Sequence, residues 1–512
     1  MGADAESLPQ DVATLQALVG QQSGTIDALA RELGQLKHYV AQLLRARYGA
    51  RSERIDPNQL ALFESSVEEA TAPPAPVDPT AVQAHVRRGG GRNSLPEHLP
   101  RERIEHDLEE HEKNCPECGR QRQRIGCETS EQLDFVPAQL KVLEHVRWKY
   151  ACRACQEHVA LAPTPPKPIE RGLPAAGLLA AVVIGKFSDH LPLYRLEDVF
   201  ARGGVELSRG TLCRWARQTA ELLEPLYLLM TRRVRQSQVI HTDDTPVQVL
   251  DPSLPKTRTG RFWVYVGDSA NPYAVYDYTA SRKRDGPASF LGQYRGYLQA
   301  DAFAGYDGIY AAGSVQQVLC WAHARRKFFE AKESQPQDAH TALAYIARLY
   351  DVEREVKVLF PDARLALRRA RSLPLLAEFH AWLEALAGRV LPKSPLGQAA
   401  HYVLPRWAGL VRYCEQPFLS IDNNLSERTL RCCAIGRKNW LFVGNDRGGH
   451  TAAVLFSFTA SCKANQVEPW AYLRDTILRL ASATSHSAAE LDDLLPDAWF
   501  VKHPEARRCW SR

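Results

Sequence analysis

The order of apolar segments between residues 239 and 333 restricts the fold of this 512-residue chain more than any other feature. Three segments rich in β-branched and aromatic residues come first, joined by turn-rich loops: Val239–Asp243, Arg261–Gly267 and Tyr273–Tyr278. Helix-like and strand-like segments then alternate as Ser281–Tyr294, Tyr297–Asp301, Tyr306–Ala312, Gln317–Cys320 and His323–Glu333. Hairpin-linked strands followed by this alternation predict a mixed five-stranded sheet with helices on both faces.

Acidic residues stand where two of these strands are expected to end. Asp243 closes the first strand and Asp301 the fourth. The element order is that of a ribonuclease-H-like domain, in which the first and fourth strands are adjacent, so both carboxylates should reach one edge of the sheet. Glu427 is the candidate third acid, on a helix that we expect to begin near Leu425 after a cap at Asp422 or Asn423. A single Asp is most often a cap or a surface charge, but three acids at these positions predict a catalytic centre.

Carboxylate oxygens are the ligands that Mg²⁺ and Mn²⁺ prefer, so the three acids predict two divalent ions about 3.5–4 Å apart acting on a phosphodiester. Asp244 adjoins Asp243, which leaves open which of the two binds metal. Cys320 and His323 could support the acids, although a buried Cys and a surface His fit the pattern equally well. A basic run after Glu427 is predicted to grip phosphates before a strand at Trp440–Gly444. It consists of Arg428, Arg431, Arg437 and Lys438.

More than a hundred residues separate the fifth strand from Glu427 and are mostly helical by pattern. The predicted helices are Ala342–Lys357, Leu365–Arg371, Leu375–Ala387 and Gly397–Tyr413. We interpret them as a helical insertion, at about 340–415, in a catalytic domain that covers 236–465.

The first 65 residues carry a heptad pattern. Positions 12, 15, 19, 22, 26, 29, 33, 36, 40 and 43 are apolar except for Gln22. β-branched residues at one core position and Leu at the other favour a parallel two-stranded coiled coil, and therefore a homodimer. The alternative is an amphipathic helix packed on its own domain. Acidic and Pro/Ala-rich residues follow and predict a linker at 66–100.

Two Cys-x2-Cys pairs predict a structural zinc site in a ribbon domain at 101–165. Cys115 and Cys118 form the first pair, and Cys152 and Cys155 the second. A tetrahedral Zn²⁺ takes four thiolates, and each tight turn supplies two of them. Four protein ligands leave no position for substrate, so this zinc would stabilise the fold.

The region 174–235 has the layout of a helix-turn-helix. Predicted helices Leu193–Arg202 and Arg209–Leu223 flank Gly203-Gly204, with Ser208 as the cap of the second helix. The second helix of such a motif places its first turns in the major groove. Its candidate DNA contacts are Arg209, Thr211, Arg214 and Arg217. A plain helical hairpin remains equally open.

Composition narrows the class of protein. The net charge of +5, from 64 basic and 59 acidic residues, does not by itself indicate a nucleic-acid binder. The longest apolar run, Ala175 to Gly185, is shorter than the ~20 residues of a membrane span. The N-terminal residues do not show the pattern of a secretory leader. Twelve Cys in a chain without such a leader favour reduced thiols and metal ligation over disulfides. We therefore expect a cytoplasmic protein that does not enter a membrane.

Longer strings resemble the DDE transposases of the insertion sequence sixty-six family almost from end to end. The first strings are Tyr48-Gly-Ala-Arg-Ser-Glu-Arg-Ile-Asp-Pro57, the Cys-Pro-x-Cys-Gly of the zinc region, and His-x-Asp-Asp-Thr-Pro-Val. Further on come Leu298-Gln-Ala-Asp-x-x-Ala-Gly-Tyr, Cys-Trp-Ala-His-Ala-Arg-Arg-Lys-Phe, Asp-Asn-Asn-Leu-x-Glu-Arg and Gly436-Arg-Lys-Asn-Trp-Leu-Phe. The tail Leu491-Asp-Asp-Leu-Leu-Pro-Asp-Ala-Trp, within 466–512, is similar to the family's short C-terminal segment.

The resemblance implies that Asp243, Asp301 and Glu427 form the catalytic triad of a bacterial DNA transposase. It implies binding to terminal inverted repeats and target DNA, association with the nucleoid, and a role for accessory proteins of the same element. Two alternatives stay open: a structure-selective nuclease on the same fold, which would cleave without joining, and an inactive or domesticated DNA-binding dimer. Loss of the carboxylates would favour the second, and all three are present.

Overall fold

The structure of the protein is a computed structural model that describes residues 165–170, 172–483 and 485–508. It also describes single positions and short stretches at 11, 16, 20–26, 29, 32–33, 140, 142–143, 145, 149–150 and 160–161. The chain divides into two units, Met1–Gly49 with Val142–Arg512 and Ala50–Lys141. The fold given below is that of the first unit. The four predicted zinc cysteines, the linker and most of the heptad positions lie outside the described residues.

A mixed sheet forms the centre of the fold. A short antiparallel pair precedes it, made of β1 (Lys149–Tyr150) and β2 (Ala160–Leu161). The sheet strands are β3 (Val239–Val249), β4 (Arg258–Val266), β5 (Ala274–Thr279), β6 (Gly296–Ala300), β7 (Val315–Leu319) and β8 (Phe442–Val443). The strand order is β5-β4-β3-β6-β7, and β8 pairs with the far end of β3. β4 is antiparallel to β3 and β5, whereas β6 is parallel to β3 and β7. The predicted mixed sheet and the adjacency of its first and fourth strands are confirmed, and β8 adds a sixth strand to the five that were predicted.

Helices surround the sheet. Three precede it: α1 (Ala176–Phe187), α2 (Leu193–Arg202) and α3 (Arg209–Val234). Within it come α4 (Asp285–Leu291), α5 (Asp307–Ala311) and α6 (Trp321–Ala331). The insertion contains α7 (Pro336–Val356), α8 (Pro361–Leu367), α9 (Leu373–Arg389), α10 (Pro395–Val403) and α11 (Trp407–Val411). The last helices are α12 (Asn424–Trp440), α13 (Asp446–Ala464), α14 (Pro469–Leu480), α15 (Ala488–Asp493) and α16 (Pro496–Lys502).

Two apolar cores enclose the sheet. The first joins the sheet to α1, α3, α13 and α14, and includes Phe262, Tyr265 and Phe456. The second joins β7 to α6 and the insertion helices around Trp321 and Phe379. β4 is buried on both faces from Phe262 to Tyr265 because helices cover both sides, which explains its unbroken apolar sequence. The predicted helix-turn-helix region therefore shares a core with the sheet.

Helix α13 covers the edge strand β5 and satisfies part of its backbone. Ser457 Oγ accepts from the backbone N–H of Tyr276 at 2.8 Å, and Ser461 Oγ accepts from that of Ala274 at 3.1 Å. An uncovered edge strand would present these groups to other chains. Two helix serines spaced by one turn thus close this side of the sheet.

A buried arginine fixes the insertion to the segment that returns to the sheet. Arg368, 2% exposed, donates from Nε and Nη2 to the two carboxylate oxygens of Glu353 at 2.8 and 2.7 Å. It also donates to the backbone carbonyls of Tyr413, Gln416 and Leu419. A buried charge is tolerated only when paired and hydrogen-bonded, and Arg368 meets both conditions. Arg368 therefore fixes the backbone just before Ile421, where the segment that leads to α12 begins.

Most of the predicted elements are confirmed, although several differ in extent. The helix, glycine turn and helix at 193–234 are present, with Gly204 at φ +82° and Ser208 accepting from the Thr211 backbone N–H. The second helix continues to Val234 because its later turns pack against the sheet core. The strand predicted at Trp440–Gly444 is wrong in extent, since α12 continues through Trp440 and β8 contains two residues. No helix in the described part of the chain is long and apolar enough to cross a membrane.

Candidate active site

Asp243 and Asp301 reach the same edge of the sheet from adjacent parallel strands. Pairing between β3 and β6 ends with His241 opposite Gln299. Asp243 lies two residues after His241, and Asp301 lies two residues after Gln299. Asp301 comes directly after β6, where its Oδ1 accepts from the Phe303 backbone N–H at 3.1 Å. The prediction that Asp243 ends its strand is wrong: β3 continues to Val249 because β4 pairs with it along this length. The predicted convergence of the two acids is nevertheless present.

The carboxylate of Asp243 lies in a buried and electronegative setting. Burial is the main cause that raises its pKa to about 7, and the charges of Asp301, Asp244 and Glu427 raise it further. A hydrogen bond from the Asp244 backbone N–H at 2.7 Å opposes this rise. Like charges disfavour ionisation of a buried acid, whereas a cation among them would favour it. The Asp243 carboxylate thus lies among acids that disfavour its ionised form.

Asp244 has a different environment from its neighbour. Its side chain is 2% exposed and accepts from Arg261 Nη1 at 2.8 Å and from Arg282 Nε and Nη2 at 3.0 and 2.8 Å. Successive strand residues point to opposite faces, so only one of the two acids can face the shared edge. Two arginines already compensate the charge of Asp244. This arrangement favours Asp243 as the acid available to a metal.

Glu427 reaches the site through a segment that side-chain hydrogen bonds hold against the sheet. Gln299 of β6 donates through Nε2 to the carbonyls of Ser420 and Asp422 at 2.6 and 3.0 Å. Asn423, fully buried, donates through Nδ2 to the Thr242 carbonyl at 2.8 Å and pairs with His241 Nδ1 through Oδ1 at 3.2 Å. These bonds place the first turn of α12, and so Glu427, beside β3.

Asn423 stands at the N-cap position of α12, but its side chain does not cap the helix. Asp422 takes over part of that role, since its Oδ1 accepts from the Asn424 backbone N–H at 3.1 Å. The predicted start of the helix near Leu425 is confirmed within one residue. The side chain of Asn423 is used instead to join the helix to β3, which sequence patterning did not reveal.

Cys320 and His323 both lie beside Glu427. One ligand atom from each of the three residues falls within 4.8 Å of the others, and His323 Nε2 is 3.6 Å from Glu427 Oε1. Cys320 Sγ accepts from the Asn423 backbone N–H at 3.1 Å, and burial raises its pKa to about 12. Burial lowers the pKa of His323, and the charge of Glu427 opposes this. Cys320 therefore supports the segment that carries Glu427, while His323 faces the acid directly.

The predicted DNA-contacting residues of α12 divide into two groups. Arg428, Arg431 and Lys438 are exposed. Arg437 donates instead to Thr245 Oγ1 at 2.7 Å and to the Pro246 carbonyl, so it ties α12 to β3. On α3, Arg214 is exposed, whereas Arg209 pairs with Glu197 and Arg217 with Glu221.

A cleft of about 520 Å³ opens beside Asp301 and contains residues that were not predicted as site residues. Its lining includes Arg282, Phe303, Arg326, Lys327 and Tyr402, together with Asp301 and His323. Arg326 and Lys327 follow His323 by three and four positions, the spacing of one helix face. That spacing was the sequence signal that could have identified them.

Comparison with known proteins agrees with this architecture. The family model described as "Transposase IS66 family" matches residues 171–451, and the "IS66 C-terminal element" matches 457–496. The "zinc-finger binding domain of transposase IS66" matches 112–156, and the model described as "Transposase C of IS166 homeodomain" matches 35–104.

Similar proteins of Sinorhizobium fredii (strain NBRC 101917 / NGR234) extend the match over nearly the whole chain. The protein printed as "Uncharacterized protein y4jD" is 34% identical over 96% of this chain and 97% of its own length. "Uncharacterized protein y4hP" is 32% identical over 90% of this chain and 88% of its own length. A family model that spans the sheet and the insertion, with relatives aligned from end to end, leaves one conclusion: the chain belongs to the IS66 family of transposases.

Proposed function

We propose that Asp243, Asp301 and Glu427 are the catalytic carboxylates of a DNA transposase with a ribonuclease-H-like catalytic domain. The strand order β5-β4-β3-β6-β7 supports the fold assignment, because three antiparallel strands followed by two parallel ones make up that domain. The observation that carries the function is the convergence of the three acids. Pairing of β3 with β6 brings Asp243 and Asp301 to one edge of the sheet, and Glu427 lies 3.6 Å from His323, which lines the same cleft as Asp301. The reaction is hydrolysis at the ends of the element, followed by attack of the freed 3′-hydroxyls on target DNA.

The donor set fits a divalent cation. Glu427 Oε1 is buried and, among the residues that the structure describes, has no hydrogen-bond partner. Carboxylate oxygens suit Mg²⁺ or Mn²⁺, and Asp243, Asp301 and Glu427 would hold the ions. When bound, such ions supply activation of the attacking oxygen and stabilisation of the leaving oxygen of the phosphodiester.

Other residues of the site keep these acids in position. Arg261 and Arg282 form ion pairs with Asp244 and compensate its negative charge. Arg282 Nη2 also lies 3.9 Å from Asp301 Oδ2. Asn423 and Gln299 fix the segment before Glu427, and buried partners of this kind are held with little freedom. The third acid can therefore meet the first two without rearrangement of the helix.

Glu427→Gln is the sharpest test of the proposal. It keeps the shape of the side chain and its hydrogen-bonding capacity but removes the charge. With a DNA fragment that contains this gene and its flanking ends, we expect unchanged end binding and a severe loss of cleavage in Mg²⁺. Glu378→Gln, an exposed residue of α9, is the matched control. Cleavage by Glu427→Gln at the wild-type rate would show that the third acid is wrongly assigned.

We also propose that residues 10–47 pair two protomers as a parallel coiled coil. The described positions from 20 to 33 are helical, and Ile26, Leu29 and Leu33 are 65, 60 and 54% exposed in the single chain. Apolar side chains at heptad spacing that remain exposed are suited to pairing with a second copy. Leu29→Pro should convert the full-length protein to a monomer in sedimentation velocity, because Pro interrupts the helix. A dimer that survives this change would place the interface elsewhere.

The helix that begins at Arg209 is our candidate for reading DNA sequence. Arg214 is exposed near its start, and the turn before it is capped by Ser208. Arg214→Gln should weaken binding to the element's ends by about 1–3 kcal/mol if Arg214 contacts a base, and should weaken binding to all sequences about equally if it contacts a phosphate. If the variant binds both kinds of DNA as tightly as wild type, this region is a plain helical hairpin that does not read DNA.

A further inference from the structure

Helix α6 has one face that packs into the second core and another that is exposed. Trp321, Ala324, Phe328 and Ala331 are buried in the second core. Arg326 and Lys327 point away from that core and are exposed. They follow His323 by three and four residues, so all three lie on the same side of the helix. The exposed side of α6 is thus a basic surface that begins at the candidate active site.

This side of α6 forms a wall of the cleft beside Asp301. The cleft has a volume of about 520 Å³, within the range of about 300–1,000 Å³ common for ligand sites. Asp301 and His323 line it together with the rings of Phe303 and Tyr402. A ligand in this cleft would therefore lie against Asp301, one of the three proposed catalytic acids.

The three cationic side chains of the cleft differ in their contacts with the rest of the protein. Arg282 pairs with Asp244 and stacks on Phe303, with its guanidinium carbon 4.2 Å from the ring centroid. Arg326 and Lys327 have no hydrogen-bond or ion-pair partner in the ranges the structure describes. Their charges act on the site, since both lower the pKa of His323. Glu330 is the one acid besides Asp301 that lines the cleft.

We propose that Arg326 and Lys327 bind two phosphates of the DNA strand that carries the scissile bond, on the Asp301 side of the active site. The proposal rests on the proposed function, because it assigns the position of the DNA substrate in that same site. Flexible cations exposed in a cleft bind phosphate through charge without reading sequence. Neither residue belongs to the second core, so replacing both should leave the fold intact.

Salt dependence of DNA binding by the full-length protein tests the assignment. The probes are a fluorescein-labelled mixed-sequence 30-nucleotide single strand and its duplex, and binding is followed by anisotropy over a KCl series. Each phosphate contact contributes about 0.7 to the slope of log K against log salt on a single strand and about 0.9 on a duplex. We therefore expect the double variant Arg326→Gln/Lys327→Gln to lower the slope by about 1.4–1.8 on every sequence tested.

A second double variant, at Arg325 of α6 and at Lys332 directly after it, provides a matched control. Arg325 and Lys332 both lie over the ring of Phe329, at 5.7 and 4.5 Å from its centroid, and do not line the cleft. Arg325→Gln/Lys332→Gln removes the same charge from α6 and the residue after it, and should leave the slope at its wild-type value. In nicking of a supercoiled plasmid in Mn²⁺, the Arg326/Lys327 variant should raise KM with little change in kcat, as expected for uniform substrate binding.

Two results would overturn the assignment. One is a wild-type slope and KM in the Arg326/Lys327 variant, and the other is an equal fall in the control, which would indicate a general field of the helix. Asp243→Asn and Glu427→Gln separate this failure from that of the proposed function. If they nick plasmid at the wild-type rate, the catalytic assignment fails whatever the binding variants do. If they lose nicking while the Arg326/Lys327 variant behaves as wild type, only the phosphate site is wrong.

Discussion

Asp243 and Asp244 are adjacent in β3, yet only the charge of Asp244 is compensated by arginine. Asp244 accepts hydrogen bonds from Arg261 and Arg282, whereas the charges that act on the pKa of Asp243 are those of other acids. For Asp243 the described ranges contain no ion-pair partner. The strand thus carries one acid that stabilises the fold and one that is available to a cation, at positions that the sequence does not distinguish.

This difference predicts opposite phenotypes for two conservative variants. Asp243→Asn should fold normally, lose cleavage and lose binding of Mn²⁺ followed by electron paramagnetic resonance, because it removes a proposed ligand. Asp244→Asn should lower the free energy of unfolding by about 1–3 kcal/mol, since it weakens hydrogen bonds between charged groups. Thermal unfolding and Mn²⁺ titration of both proteins measure the two effects. An inactive but stable Asp244→Asn together with an active Asp243→Asn would reverse the assignment.

The pKa of Asp243 predicts how stability depends on pH without divalent ions. Burial and neighbouring acids raise this pKa from its ordinary 3.8 to about 7. Between these values the folded state binds more protons than the unfolded state, so the contribution of Asp243 is complete below about pH 4 and is lost as the pH rises through about 7. We expect wild type to lose stability relative to Asp243→Asn over this interval, by at most about 4 kcal/mol.

Thermal unfolding of the two proteins at several pH values, without added Mg²⁺, checks this prediction. Addition of Mg²⁺ at pH 8 should raise the melting temperature of wild type more than that of Asp243→Asn, because metal binding favours the ionised carboxylate. Melting temperatures that run parallel across the whole pH interval would mean that Asp243 titrates normally.

Asn423 predicts a link between stability and metal binding. Asn423→Asp keeps the size of the side chain but replaces the Nδ2 donor that bonds the Thr242 carbonyl. A buried carbonyl left without its donor costs about 1–3 kcal/mol. Because Asn423 also sets the first turn of α12, we expect Mn²⁺ affinity to fall together with stability. Gln337→Glu, the same amide-to-acid change at an exposed position of α7, is the control. Reduced stability with unchanged Mn²⁺ affinity would show that Asn423 does not position Glu427.

The zinc ligands are a prediction from sequence, and the family match at 112–156 assigns a zinc-finger domain to this region. Cys118→Ser should remove the zinc from the purified protein and unfold that module, while the catalytic unit keeps its own melting transition. A small metal domain draws its folding free energy from the metal. Cys127→Ser, with the same change outside the four proposed ligands, should keep its zinc. Metal analysis that finds equal zinc in both variants would contradict the assignment.

The sequence determined the elements, because strand and helix patterns depend on neighbouring residues. It correctly predicted the order of the first five sheet strands, the helices between the fifth strand and Glu427, and the start of α12. Asp243, Asp301 and Glu427 stay candidates from the sequence. The heptad pattern and the Cys-x2-Cys pairs are equally local, and the four cysteines and most of the heptad positions lie outside the described residues.

Only the tertiary structure decided how these candidates differ, since that depends on partners far apart in the chain. Arg261 and Arg282 form hydrogen bonds with Asp244 and compensate its charge. Arg437 donates to Thr245 of β3, and Asn423 bonds its helix to a strand residue 181 positions earlier. Such contacts are made across the sheet edge and leave no periodic signal in the sequence. Burial beside other acids raises the pKa of Asp243, and this environment exists only once the chain is folded.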